Sequence, residues 1–247
     1  MEVLGIDIGG SGIKGAIVNV ETGELVGERF RVETPQPASP EAVFEAILQL
    51  TTHFKWTGKV GLGFPGVVRS GVIKTAANLD KAWVGVNAAE AFKALSGLDS
   101  YWVNDADAAG VAEVKFGSLA QDKNVVIFLT IGTGIGSAIF TQGHLLPNTE
   151  FGHLKLKNET EAEHYASDAA RKREDMSWEK WGKRINKYLE TMDALFWPDL
   201  FIIGGGISKK FDKYADKFTL NAPVLPASLL NEAGAIGAAY FAAEQLG

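Results

Sequence analysis

VLGIDIGGSGIKGAIVNV, residues 3–20, decides the fold: an apolar β-branched run, a turn of glycines and serine, then a second apolar run. Such runs on either side of a glycine-rich break read as two strands of a hairpin. The order returns in VVIFLTIGTGIGSAIF, residues 125–140, with a Gly/Thr turn between the strands. A third apolar run, LFIIGGGIS at residues 200–208, also ends in glycines. One α/β theme is therefore used twice, at a period too long for a solenoid repeat. The expected lobes are 1–107 and 108–232, followed by a closing small-residue helix at 233–247.

The segments between these runs fill in the pattern. Residues 25–34 (LVGERFRVET) alternate like a further strand, and Ser39 with Pro40 opens a helix carrying Val43, Ile47 and Leu50. Residues 59–68 (KVGLGFPGVV) read as a strand entering a Gly-Pro turn, and residues 88–97 as a helix ended by glycine. SYWVN (residues 100–104) is a strand that breaks at Asn104–Asp105 into a helix of small residues. The charge-rich stretch 159–187 reads as two solvent-exposed helices.

Composition narrows the function. The 247 residues are 46% hydrophobic and 22% charged, ordinary globular usage, with a net charge of -6. An acidic total disfavours nucleic acid as the main partner. With no cysteine there is no disulfide, thiolate metal site or thiol nucleophile, which is compatible with a reducing cytoplasm. No apolar stretch reaches the ~18 residues that a membrane span needs. The opening MEVLGIDIGG lacks a basic start and an uninterrupted apolar core, so no export signal is expected.

Three glycine clusters follow three strands: Asp7–Gly15, Thr130–Gly136 and Ile202–Lys210. Glycine turns present runs of N–H groups that cradle anions, helped here by the Ser11 and Thr133 hydroxyls. None matches GxxxxGK[ST], and the spacing GTGIG followed by a strand is not a dinucleotide fingerprint. Asp7 beside such a cradle suggests Mg²⁺ between carboxylate and phosphate, or else a turn-capping aspartate. Lys14 is a point charge for the same phosphate or a solvated strand lysine. Asp105, at the carboxyl end of a strand, is either a general base or a helix cap. Glu150 and His153 suit polyol hydroxyls, or form a surface pair. A zinc site is not expected, since no HExxH or cysteine pattern accompanies His144, His153 and His164. Seven basic residues between Arg171 and Lys187, with Trp178 and Trp181 among them, form either a solvated helix with an apolar stripe or a basic wall for a polyanion.

DIGGSGIKG, GFPGVV (residues 63–68), NDADAAGVAE (104–113), TIGTGIGSA (130–138) and EFGHL (150–154) together resemble the ROK family of sugar kinases over nearly the whole chain. That resemblance implies the two-lobed actin-like, ribonuclease H-like phosphotransferase fold, with the active site in the interlobe cleft and the closing helix 233–247 joined to the first lobe. It makes Asp105 the base for a sugar 6-hydroxyl. It assigns Gly66, Asn78, Asn104, Glu150, His153 and Glu163 to the sugar. Gly9, Gly10, Ser11, Gly12, Lys14, Gly132, Thr133 and Gly134 would line the phosphoryl path, with Gly204, Gly205 and Lys209 beside them. Asp7 would orient Mg²⁺. Most bacterial members carry a cysteine-rich zinc motif after E-x-G-H; this chain does not, and Glu163 stands where the sugar-binding glutamate follows that motif. Residues 161–184 and 78–86 resemble the polyphosphate glucokinase subgroup. This implies inorganic polyphosphate as donor and glucose as acceptor, with ATP and mannose as further candidates, in a cytoplasmic homodimer. An ATP-dependent hexokinase of the same family is the alternative. A repressor is disfavoured because no helix-turn-helix precedes the first phosphate motif.

Overall fold

The computed structural model describes residues 1–76, 79–117, 119, 123–156 and 159–245. The chain forms two compact units, Met1–Ala112 with Glu232–Gly247, and Glu113–Asn231.

In the first unit, β1 (Glu2–Ile8) and β2 (Ile13–Asn19) form the expected antiparallel hairpin, with Asp7 opposite Lys14. The alternating stretch 25–34 is not one strand. It splits into β3 (Glu24–Leu25) and β4 (Phe30–Val32), which pair with different parts of β2. Gly27, at φ 86°, lies between them and breaks the extended run. Helix α1 (Pro40–His53) starts where Ser39 accepts the amide of Ala42, and it buries Val43, Ile47 and Leu50. β5 (Val60–Phe64) ends before the expected Gly-Pro turn, and β6 (Val68–Arg69) with β7 (Val72–Ile73) makes a small separate hairpin. Helix α2 (Ala88–Ser96) closes on Gly97 at φ 73°, and β8 (Ser100–Asn104) leads without a loop into α3 (Asp105–Phe116). The sheet order is β3-β2-β1-β5-β8, with β5 and β8 parallel to β1. Phe44, Phe64, Trp83, Phe92 and Trp102 pack as one aromatic core against it.

The closing helix, Ala233–Glu244, lies flush on this sheet. A Cβ at Gly5 would collide with the Ala235 carbonyl, one at Gly61 with the Ala238 carbonyl, and one at Gly237 with the Ala108 carbonyl. Gly5 and Gly61 let the sheet meet the helix backbone, and Gly237 lets the helix meet the backbone of α3, which explains a helix built almost wholly of small residues.

The second unit repeats the plan. β9 (Val125–Ile131) and β10 (Ile135–Thr141) form the second hairpin, extended by β11 (His144–Leu146). β12 (Leu200–Gly204) and β13 (Val224–Pro226) join in parallel, giving the order β11-β10-β9-β12-β13. The stretch 159–187 departs from the expectation of two exposed helices. It contains α4 (Ala162–Ala166), α5 (Asp168–Arg173) and the start of α6 (Trp178–Phe196). α6 buries Trp181, Ile185, Tyr188, Leu189 and Met192, one face at helical spacing. The Trp181 indole donates to the carbonyls of Ala166 and Ser167, which ties α6 to the shorter helices.

Candidate active site

In the first unit the turn between β1 and β2 is closed by the Gly9 amide donating to the Gly12 carbonyl at 3.1 Å. Two side chains brace it from outside the motif. Thr34 Oγ1 donates to the Gly9 carbonyl at 2.5 Å, and Arg31 Nη2 donates to the Ser11 carbonyl at 2.5 Å. Gly10 and Ser11 remain exposed at the tip. Asp7 keeps 22% of its side chain exposed and faces Lys14 Nζ at 3.6 Å. Burial pushes its carboxyl above the ordinary range, against the pull of Lys14. Lys14 is thus committed first to Asp7. Gly234 lets the closing helix approach, since a Cβ there would stand 2.9 Å from Asp7 Cγ.

At the end of β8 the two candidate roles of the Asn-Asp pair separate. Asn104 Oδ1 accepts the amides of Ala106 at 2.8 Å and Asp107 at 3.0 Å. Asn104 is therefore the helix cap, and Asp105 is the first helical residue, its Oδ1 accepting the Ala106 amide at 2.8 Å. Asn104 Nδ2 donates to the Gly66 carbonyl at 3.1 Å. The Gly66 amide donates to Phe64, so Gly66 holds Asn104 in place through its backbone. The expected sugar contact Asn78 lies outside the described residues.

In the second unit the turn Gly132–Gly134 is closed by the Gly132 amide on the Gly134 carbonyl, and the Gly132 carbonyl accepts the Ala169 amide. Thr133 is exposed at its tip. A Cβ at Gly134 would stand 2.5 Å from Glu163 Oε2, so the carboxylate rests against this turn. His153 ends a short 3-10 turn, Phe151–His153, pressed onto β10 at Gly152. Its Nε2 faces Glu150 Oε2 at 3.7 Å, while Nδ1 faces Glu161 Oε2 at 3.3 Å and Glu163 Oε1 at 3.8 Å. Burial, reinforced by the charge of Glu163 and opposed by His153, raises the Glu150 carboxyl above its usual range. One ligand atom from each of His153, Glu161 and Glu163 falls within 4.8 Å of the others. Glu150 and Glu163 thus both face the His153 ring. Glu161 was not singled out by the sequence, though its place two residues before Glu163 was the available signal.

The third glycine cluster closes β12. Gly205 sits at φ 80° against the Ile131 backbone, and Ser208 Oγ donates to its carbonyl at 2.8 Å. Lys209 is exposed on the following 3-10 turn. The basic stretch is largely paired internally. Arg171 and Lys172 hold Asp168, Arg184 holds Glu174, Lys183 holds Glu179, and the Arg171 guanidinium stacks 4.1 Å over Trp178. These cations are divided between α5 and α6.

Residues 3–167 match the ROK family model. The chain is 48% identical over 236 residues, 95% of its length and 89% of the other, to a protein of Mycobacterium tuberculosis named polyphosphate glucokinase. It is also similar to the crystal structure of an inorganic polyphosphate/ATP-glucomannokinase from Arthrobacter sp. strain KM. That pair shows a TM-score of 0.94, 45% identity and 99% coverage of both chains. A ROK glucokinase from Streptomyces griseus, solved with glucose and AMPPNP, shares the fold at TM-score 0.84 and 24% identity, with 99% of this chain and 100% of that one covered.

Proposed function

The chain belongs to the ROK family, and on that premise we infer that it is a polyphosphate-dependent glucokinase, transferring the terminal phosphoryl group of inorganic polyphosphate to the 6-hydroxyl of glucose. The near-full-length likeness to the Arthrobacter glucomannokinase carries this reading, and the mycobacterial relative supports the same donor.

The roles follow from the chemistry at each position. Asp105 accepts the proton of the 6-hydroxyl as the oxygen attacks phosphorus. Asn104 caps the helix through the Ala106 and Asp107 amides, and Asp105 follows it as the first helical residue. Glu150 and Glu163 accept hydrogen bonds from sugar hydroxyls, and His153, held between carboxylates, presents Nε2 to the same ligand. The amides of Gly10–Gly12 and of Thr133 and Gly134, with the Ser11 and Thr133 hydroxyls and Lys14, stabilise charge on the transferring phosphoryl oxygens, while the Gly9 and Gly132 amides close their turns. Gly204, Gly205 and Lys209 extend the phosphate path, and Gly66 fixes Asn104 through its carbonyl. A single half-buried carboxylate next to an N–H turn fits a Mg²⁺ ion that keeps water and takes phosphate oxygens, so Asp7 would hold it. The ion would neutralise the donor's charge there. Both ring nitrogens of His153 face carboxylates, a setting that orients an imidazole, and we assign the cluster to sugar rather than zinc. ATP as second donor, a homodimeric state and a cytoplasmic location complete the proposal. Among the described residues no helix is long and apolar enough to cross a membrane.

A grid of initial rates, polyphosphate or ATP against glucose or mannose, tests the reading on one preparation. Glucose 6-phosphate formed from polyphosphate is the expected result. Activity with ATP alone would favour the ATP-dependent hexokinase.

A further inference from the structure

Among the cations of the first unit, Arg31 stands where no sequence motif pointed. β4 pairs with β2 so that Arg31 is directly opposite Lys14, and Lys14 is directly opposite Asp7 on β1. Directly opposed residues project on the same face, so Asp7, Lys14 and Arg31 form one row across three strands. The row holds one carboxylate and two cations. Lys14 takes the carboxylate at 3.6 Å, and among the described residues Arg31 makes no ion pair. Like charges facing each other across a strand pair destabilise it unless an anion lies near.

The guanidinium is also held in place. Its Nη2 donates to the Ser11 carbonyl at 2.5 Å, and it lies over Gly12, where a Cβ would run into it. A planar fork of five donors is thus fixed beside the exposed tip of an anion-cradling turn, with one donor spent on the turn itself. We propose that Arg31 is a phosphate-binding residue for the polyanionic donor, acting beside Lys14 at the Gly9–Gly12 turn. This rests on the polyphosphate reading above. Its chemistry suits a linear phosphate chain, because a guanidinium engages phosphate oxygens in pairs and releases counterions when it does.

The test uses the full chain with Arg31→Gln and Arg31→Lys. Initial rates are measured against polyphosphate at saturating glucose over a series of KCl concentrations, together with the rise in Tm that polyphosphate produces. Arg31→Gln is expected to raise the KM for polyphosphate by about tenfold or more, the scale of one lost charged hydrogen bond. It should flatten the log KM against log salt slope by ~0.7–0.9, the loss of one phosphate contact, and shrink the polyphosphate-induced Tm rise. The KM for glucose stays unchanged. Arg31→Lys keeps the salt slope, with a KM between the two. Wild-type KM and slope in Arg31→Gln would overturn the assignment. So would matching behaviour of the two variants with a raised glucose KM, which would make Arg31 only a brace for the turn. A wild-type chain that neither uses nor binds polyphosphate would overturn the underlying reading and this inference together.

Discussion

Asp105 and Asn104 divide two tasks that the sequence could not apportion between them. Both residue types cap helices, and only the hydrogen bonds to the Ala106 and Asp107 amides assign the cap to Asn104. Asp105→Asn should therefore lower kcat by ~10²–10⁴, the span of a general base, with an unchanged far-ultraviolet spectrum and Tm. Full turnover in that variant would remove the base assignment. Glu150 carries a different expectation. Burial holds its carboxyl above the ordinary range, so its contribution to stability is present below the unfolded value of 4.5 and is lost as pH rises through the folded value. At neutral pH its ionisation opposes folding. Glu150→Gln should then raise Tm at neutral pH while raising the KM for glucose. A fall in both Tm and affinity would show that the carboxylate is structural. The Glu150–His153 spacing was legible in EFGHL. Glu161 was not, because its place beside His153 depends on backbone contacts such as the Ala162 amide donating to the Leu154 carbonyl.

At the scale of elements, the sequence showed the two hairpins and most strand ends clearly. β-branched runs broken by glycine admit few other readings, and Ser39 and Gly97 marked helix ends by their capping chemistry. The interval 25–34 misled because Gly27 sits in an alternating pattern and lets the chain turn. The stretch 159–187 misled in the number of helices: Ser167 and Ser177 each cap a new one, so α4, α5 and α6 stand where two were expected. The resemblance assigned the closing helix to the first lobe, but its backbone contacts with Gly5 and Gly61, far away in the chain, were not legible in its small residues. Gly61→Ala should cost at least ~1–3 kcal/mol by overpacking, because the obstruction is the Ala238 carbonyl and backbone yields little. Urea denaturation measures it, and a stability within error of wild type would mean that the helix can slide. At the start of α5, burial alone would raise the Asp168 carboxyl, but the hydrogen bonds from Lys172 and Arg171 outweigh it and lower the net value. That stabilisation is present above the unfolded value of 3.8 and is lost as pH falls through the folded value. The stability gap between wild type and Asp168→Asn should therefore be largest near neutrality and close in acid. A gap independent of pH would point to packing.

For the whole molecule, one α/β plan serves twice, and the chain passes between the two units at Ala112–Glu113 and again at Asn231–Glu232. The fully buried Glu113 accepts hydrogen bonds from Ser228 N, Ser228 Oγ and Leu229 N at 2.7–3.0 Å. One carboxylate thereby ties the segment that enters the second unit to the segment that leaves it. Glu113→Ala strands those donors and should cost ~3 kcal/mol or more, since each buried donor left without a partner costs about 1–3 kcal/mol. A Tm equal to wild type would show that water replaces the carboxylate. The same routing bears on the order in which the chain is made. The second unit is one unbroken stretch and can fold as soon as it leaves the ribosome. The first unit is translated earlier yet waits with one face of its sheet, the face that meets the closing helix at Gly5 and Gly61, uncovered until that helix emerges. The half that starts first is finished last, and in that interval its bare glycine-lined strands are what a chaperone or a protease would meet.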